Sequence, residues 1–373
     1  MLVALFGAAS SLSAGRAFEQ KIESIIDQMN DGSSQPFSDA VDVDALLSRV
    51  FDGLDVGERL KASFSQKIRR GQKQLGENIL RRIPEGSYAK VLEVRQDGDD
   101  AIALVRYDFG NSRFAYYEYE LAEDESGAIR IVDWLDYLDG YQYSAALRLS
   151  VVSFEPTAAS VRGLVPEHQG SDEEYARFAA VISAYRDKDY QKFYNESAKL
   201  SRRLRQTRFM HLLTSLVSRM TRDRNLYNDA FRALSSNFGD DPTVVFTLLS
   251  YYYSKRDNDA VMQSLRLLQD EFGVRDAALL SLMSQTAMNL RNADEAAILA
   301  DEAISIEPGL EIAYWMAINA HVSLKHHSFA VMTAKSLEDQ FGKSIERERF
   351  ENNSMYANFV KSPQFKQWQS EKD

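Results

Sequence analysis

Few side chains in this chain are spaced for chemistry, and the clearest candidate is Asp133. It sits in the run Ile131-Val132-Asp133-Trp134-Leu135-Asp136-Tyr137. Strand alternation there puts Ile129, Ile131, Asp133, Leu135 and Tyr137 on one face. A carboxyl among aliphatic neighbours needs a partner or takes up a proton, so one facing a pocket is a candidate acid or base. Tyr117 and Tyr119, in the hairpin before it, are the hydroxyls that would accompany it in a ligand pocket. The competing reading is an Asp satisfied by a tyrosine or a backbone N–H near the strand end. Histidine, the commonest acid–base group, first occurs at His168. An acid–base site without a companion is weak evidence for catalysis, so the chain reads as non-enzymatic with Asp133 its one catalytic candidate.

Other signals point to binding or exclude a chemistry. Lys199, Arg202, Arg203, Arg205 and Arg208 fall within ten residues, and Arg219, Arg222 and Arg224 follow. Such a cluster is a solvated helix face, a dock for an acidic partner, or a dock for the molecule's own acidic first domain. His321, His326 and His327 lack the i, i+4 spacing that sets two imidazoles on one helix face, and no HExxH accompanies them, so no metal is expected. Phosphate-loop, dinucleotide and serine-hydrolase motifs do not occur, and no cofactor is expected. The chain has no cysteine, which excludes disulfides and thiolate chemistry. Its net charge is −11: residues 1–170 carry 27 acidic and 18 basic side chains, residues 171–373 carry 28 and 26. Phosphate backbones need clustered cations, so nucleic acid is not an expected partner.

The elements that must position these residues can be read in order. At 373 residues and 45% apolar content, two domains with real cores are expected. From Leu2 to Gly15 the chain is uncharged and mostly apolar or small. That is short of the ~20 residues a membrane-spanning helix needs, so no integral membrane segment is expected. Residues 1–17 are either a signal peptide, which would make the protein periplasmic or secreted, or an apolar first helix of a cytoplasmic protein. Helical spacing follows at Phe18, Ile22, Ile25, Ile26 and Met29, then near 42–54, then along 56–83. After the turn Pro84-Glu85-Gly86 come strand-like runs at 88–95, 101–109, 113–122 and 128–137. Asp97-Gly98-Asp99, Gly110-Asn111-Ser112 and Asp124-Glu125-Ser126-Gly127 separate them. Residues 138–153 fit a strand or a helix, and the strand is favoured. Helices followed by an antiparallel meander indicate an α+β fold.

That element order, with the run 131–137, resembles the nuclear-transport-factor-two-like cone shared with SnoaL-type cyclases and ketosteroid isomerases. The resemblance covers about 15–150. It implies helices on one face of a curved sheet, a pocket inside the cone, and in some members a homodimer through this domain. Members include enzymes, ligand binders and dimerisation modules, so no activity follows from the fold.

The second half carries a repeat. Phe178, Leu212, Phe246, Leu280 and Tyr314 fall 34 residues apart, the period of stacked helix–turn–helix units. Phe178-x-x-Val181-Ile182-x-x-Tyr185, Phe246-x-x-Leu249-Ser250-x-x-Tyr253 and Leu280-x-x-Met283, with Ala296, Ala300, Ala303 and Pro308, resemble tetratricopeptide repeats. The segment 277–310 is the best single unit, resembling the repeat at several positions at once, and the others are degenerate. The organisation expected is then an α+β cone-like domain at 18–153, a linker or packed connection at 154–172, and an all-α superhelix of five units at 173–345. A capping helix and tail follow at 346–373, marked by Tyr356, Phe359, Phe365 and Trp368. The resemblance implies a protein or peptide partner in the groove lined by the first helices. The Lys/Asn/Arg clamp with which some members hold an acidic C-terminus is not reproduced. The expected function is therefore that of an interaction or adaptor protein. The alternative is small-molecule binding or catalysis in the N-terminal pocket.

Overall fold

A computed structural model describes residues 2–81, 88–110 and 113–372, and for 2–14 the backbone alone. The expected turn Pro84-Glu85-Gly86, and Asn111-Ser112 of another, lie outside the described residues. The chain divides into two compact units, Met1–Leu248 and Leu249–Asp373.

In the first unit, α1 (Leu2–Asn30) runs unbroken through the apolar N-terminal segment. It buries Phe18, Ile22, Ile25, Ile26 and Met29 along one stripe. No helix among the described residues is long and apolar enough to cross a membrane. A short α2 (Gln35–Ala40) follows, which periodicity does not predict, and then α3 (Val43–Phe51). Asp42 caps α3 by accepting the N–H groups of Asp44 and Ala45 at 3.0 and 2.9 Å. The stretch expected as one helix over 56–83 divides into α4 (Glu58–Gly71) and α5 (Gln74–Leu80). The break has a cause in α2. Gln72 Nε2 donates to the carbonyls of Ser38 and Val41, and the Ser38 hydroxyl donates to the carbonyl of Lys73. Gly76 allows the approach, because a Cβ there would lie 2.2 Å from the Ser34 carbonyl oxygen.

Five antiparallel strands follow in the order of the chain: β1 (Ala89–Asp97), β2 (Asp100–Asp108), β3 (Phe114–Glu123), β4 (Ile129–Asp136) and β5 (Tyr141–Gln142). The first four lie within two residues of the expected runs. The facing of β4 differs from simple alternation. Leu121 pairs with Ile131 but Glu120 pairs with Asp133, so Val132 is an extra residue in a β-bulge. A bulge resets which side chains share a face. Trp134, not Asp133, continues the face of Ile131, and its ring meets Phe37 and Tyr119 at centroid distances of 6.0 and 6.2 Å.

Residues 138–153 are not mainly a strand: after β5 they form α6 (Tyr143–Phe154), with Leu147, Val151 and Val152 buried at helical spacing. Residues 154–172 are packed, with α7 (Ala158–Arg162) capped by Thr157 and with Val161, Leu164 and Val165 buried. Then come α8 (Asp172–Arg186), α9 (Tyr190–Ser197), α10 (Arg202–Arg205), α11 (Arg208–Thr221), α12 (Arg224–Phe238) and α13 (Pro242–Lys255). One apolar core extends from Phe18 to Val217, which places 154–172 inside this unit.

The second unit continues with α14 (Asn258–Phe272), α15 (Ala277–Asn289), α16 (Ala293–Ile306), α17 (Glu311–Ser323) and α18 (His327–Phe341). Here α15, α16, α17 and α18 pack in succession, and α15 also meets α17. Buried Ala296, Ala300 and Ala303 of α16 let the neighbouring backbones come close.

The period is written in the backbone. Lys188, Arg222, Arg256, Arg291 and Lys325 all have φ between +56° and +62°, at spacings of 34, 34, 35 and 34. Each ends the first helix of a pair, where a cation suits the dipole. The next residue is Asp189, Asp223, Asp257 or Asn292, and each of these side chains caps the following helix. Only His326, in the last pair, provides no side-chain cap. The bulky ladder from Phe178 to Tyr314 is buried throughout. Residues 346–372 are several short elements rather than one helix: α19 (Glu348–Glu351), a 3₁₀ turn, α20 (Ala357–Val360) and α21 (Pro363–Ser370). Phe350 is their hub, with Tyr356, Phe359, Phe365 and Trp368 all within 5.8 Å by ring centroid.

Candidate functional site

Asp133 lies beside a cleft of about 690 Å³ in the first unit, lined also by Arg49, Glu120, Gln142, Ser144 and Arg148. The bulge turns its carboxyl toward the start of α6. There Oδ1 accepts the backbone N–H groups of Trp134 at 2.9 Å and Ser144 at 3.0 Å. Oδ2 is buried and has no hydrogen-bond partner among the described residues, its nearest cation being Arg49 Nη1 at 3.8 Å. Arg49 is itself paired with Glu120, whose other oxygen accepts from Gln142 Nε2 at 2.6 Å. Arg148 donates to the carbonyls of Gly163 and Arg49. The side chains of this cleft are thus tied to one another and to backbone. Backbone N–H groups account for the Asp among aliphatic residues, through its position against α6.

The two tyrosines expected to join Asp133 do not. The Tyr119 hydroxyl lies 2.7 Å from that of Tyr107, both buried. Desolvation pushes both hydroxyls up, so both stay neutral phenols. Tyr117 lines a different cavity of about 460 Å³ with Asn78, Trp134, Asp136, Tyr141 and Tyr143. Trp134 stacks on Tyr143 there at 4.1 Å. This aromatic cavity could hold a flat apolar molecule. It has no histidine, and Asp133 is not part of it.

The basic cluster separates into committed and uncommitted cations. Arg208 pairs with Asp241 at 3.0 Å and donates to the Gly140 carbonyl at 2.5 Å and to Thr243 Oγ1 at 2.6 Å. Arg219 reaches Asp139 at 3.1 Å. These two therefore brace the helices against residues 139–140 at the end of the sheet. Lys199 pairs with Glu196. Arg202, Arg203 and Arg205 are exposed and form no ion pair among the described residues.

Arg203 also borders a third cavity, of about 630 Å³, walled by α6, residues 164–168 and α11. Its surface is mainly aliphatic and aromatic, and its buried polar members are His168 and Thr207. The imidazole Nε2 of His168 lies 3.3 Å from Glu174 Oε2, and neither Nε2 nor Nδ1 has a hydrogen-bond partner among the described residues. The Ser201 hydroxyl first, and His168 next, hold the Glu174 carboxyl below its usual range. Gly170 leaves room for this pair, since a Cβ there would lie 2.6 Å from Glu174 Oε2 and 2.8 Å from His168 Nε2 and would displace those side-chain ends. Sequence reasoning missed this cavity because one wall is α6, the segment expected as a strand.

In the second unit His321 Nε2 lies 3.2 Å from Asp301 Oδ1. Among the described residues no group of three or more His, Cys, Asp or Glu side chains is placed to hold a metal. No protein-family model matches the chain, and no curated protein matches it.

Proposed function

We propose that this chain is a non-enzymatic adaptor, a nuclear-transport-factor-two-like α+β domain joined to tetratricopeptide-like helix pairs that bind a segment of a partner protein. The observation that carries the reading is the recurring basic left-handed turn and acidic or amide cap from Lys188 to Asn292. Helix pairs repeated in this way bury one face against their neighbours and leave an extended surface. In the second unit the second helices of the pairs, rather than the first helices expected to line the groove, carry large apolar side chains in register. Ile298 of α16 is 67% exposed, and Met332 of α18, at the same point one repeat later, is 58% exposed. Phe329 beside it is 53% exposed. Apolar groups this open to water favour a contact surface for an apolar partner segment. The test is affinity capture with the full chain and with an Ile298→Asp, Met332→Asp variant, read by mass spectrometry. A protein held by the wild type and lost by the variant is expected. Identical sets would remove this face from the reading, and no specific protein on either bait would sink the adaptor proposal.

A second reading, small-molecule binding by the N-terminal domain, is supported by the 460 Å³ cavity with Tyr117, Trp134 and Tyr143. Ligands entering it would change Trp134 fluorescence, and a Tyr117→Leu variant would weaken that response.

A further inference from the structure

We infer that the cavity between α6 and α11 binds a single-chain amphiphile with a carboxylate head, of the medium-chain fatty acid class. Protein interiors are close-packed, with few voids larger than a water molecule. A cavity of about 630 Å³ falls instead within the ordinary range for small-ligand sites. Its walls are suited to hydrocarbon. Phe209, Leu212 and Leu216 form one stripe of α11, and Leu149 of α6 and Leu164 also line the space.

The polar end is specified by a buried group rather than by surface charge. His168 is almost wholly enclosed, and a desolvated imidazole nitrogen without a partner is costly unless a ligand supplies one. Neither ring nitrogen has a hydrogen bond among the described residues, and Glu174 Oε2 stands 3.3 Å from Nε2, so Nδ1, the nitrogen with no carboxylate beside it, is the position left for a head group. A ligand carboxylate at Nδ1 places the imidazole between two carboxylates. Arg203, without an ion pair of its own, adds a guanidinium at the rim. Glu167 also stands at the rim, exposed, and offsets part of that charge. The enclosed His168 therefore sets the choice of head group, and Arg203 strengthens it.

Calorimetric titration of the full chain with dodecanoate, dodecanol and dodecyltrimethylammonium, each below its micelle concentration, tests this. Saturable one-to-one binding of dodecanoate is expected, with the alcohol and the cation weaker by about tenfold or more, the usual scale of a charge-assisted hydrogen bond. Leu216→Trp narrows the apolar part of the cavity and should weaken binding. Arg203→Glu, at an exposed position that leaves folding intact, should weaken dodecanoate by about tenfold and leave dodecanol unchanged. Absence of saturable binding overturns the proposal. Equal affinity for acid and alcohol overturns the head group, and undiminished binding by folded Leu216→Trp overturns the site.

Discussion

Replacing Asp133 by alanine decides whether this carboxyl holds structure or performs chemistry. Its Oδ1 accepts two backbone N–H groups, from Trp134 and Ser144, and both residues are buried. A buried donor stripped of its partner costs about 1–3 kcal/mol, so two set a ceiling of about 6 kcal/mol. The cleft alongside admits water to part of the site and lowers the expected loss to about 2–4 kcal/mol. Asp133→Asn keeps an oxygen in the Oδ1 position and gives up only the longer approach to Arg49. That side chain is more than a third exposed, so the asparagine should cost about 1 kcal/mol or less.

Urea unfolding gives the size of each loss. Hydrogen exchange gives its place, which matters because two compact units need not unfold together. In the alanine variant, amides of 143–154 should lose protection while those of α15 keep theirs. If alanine costs under about 0.5 kcal/mol and exchange across 143–154 is unchanged, the carboxyl is not what fixes the start of α6. The structural argument would then fail, and an acid–base role would regain its force.

The repeat turns make two opposite predictions: Asp257→Ala should destabilise by about 1 kcal/mol, and His326→Asp should stabilise by about as much, both read by urea midpoint. The Asp124 carboxyl is held well below its ordinary value of 3.8 by the Ser126 hydroxyl, then Arg130 and the Ala128 N–H. Its contribution is complete above that ordinary value and is lost as pH falls through the depressed one, so the stability gap between wild type and Asp124→Asn should close progressively below pH 3.8. Phe350→Ala removes the ring at the centre of the C-terminal aromatic cluster and should cost about 3–5 kcal/mol, with protection lost first across 348–370.

Much of the architecture was legible because it rests on periodicity. The 34-residue ladder from Phe178 to Tyr314 is buried as expected, and four strand runs stand within two residues of their predicted bounds. The sequence also carries a sharper form of the repeat than the apolar ladder. Lys188-Asp189, Arg222-Asp223, Arg256-Asp257 and Arg291-Asn292 recur at spacings of 34, 34 and 35, beside the 34-residue apolar ladder. Apolar spacing locates helix faces, whereas these dipeptides locate the turn between two helices. The break between α4 and α5 was not legible, because its cause is Ser38, more than thirty residues earlier.

The two errors around the candidate site have a single origin. Strand alternation assigned Asp133 to the face of Ile131, and weak periodicity assigned 138–153 to a further strand. One extra residue in β4 removes the first assignment, since Val132 is spent in the bulge and Trp134 takes the inner place. The same bulge aims Asp133 at the N–H of Ser144, which favours a helix where the local pattern was ambiguous. An acidic residue in an apolar strand and a segment of undecided type ten residues later were thus two signs of one contact. Burial of a carboxyl is costly enough to demand a partner, and an uncapped helix start nearby is the partner most able to satisfy it. A solitary buried Asp followed by such a segment is therefore better read first as a helix cap than as a catalytic acid.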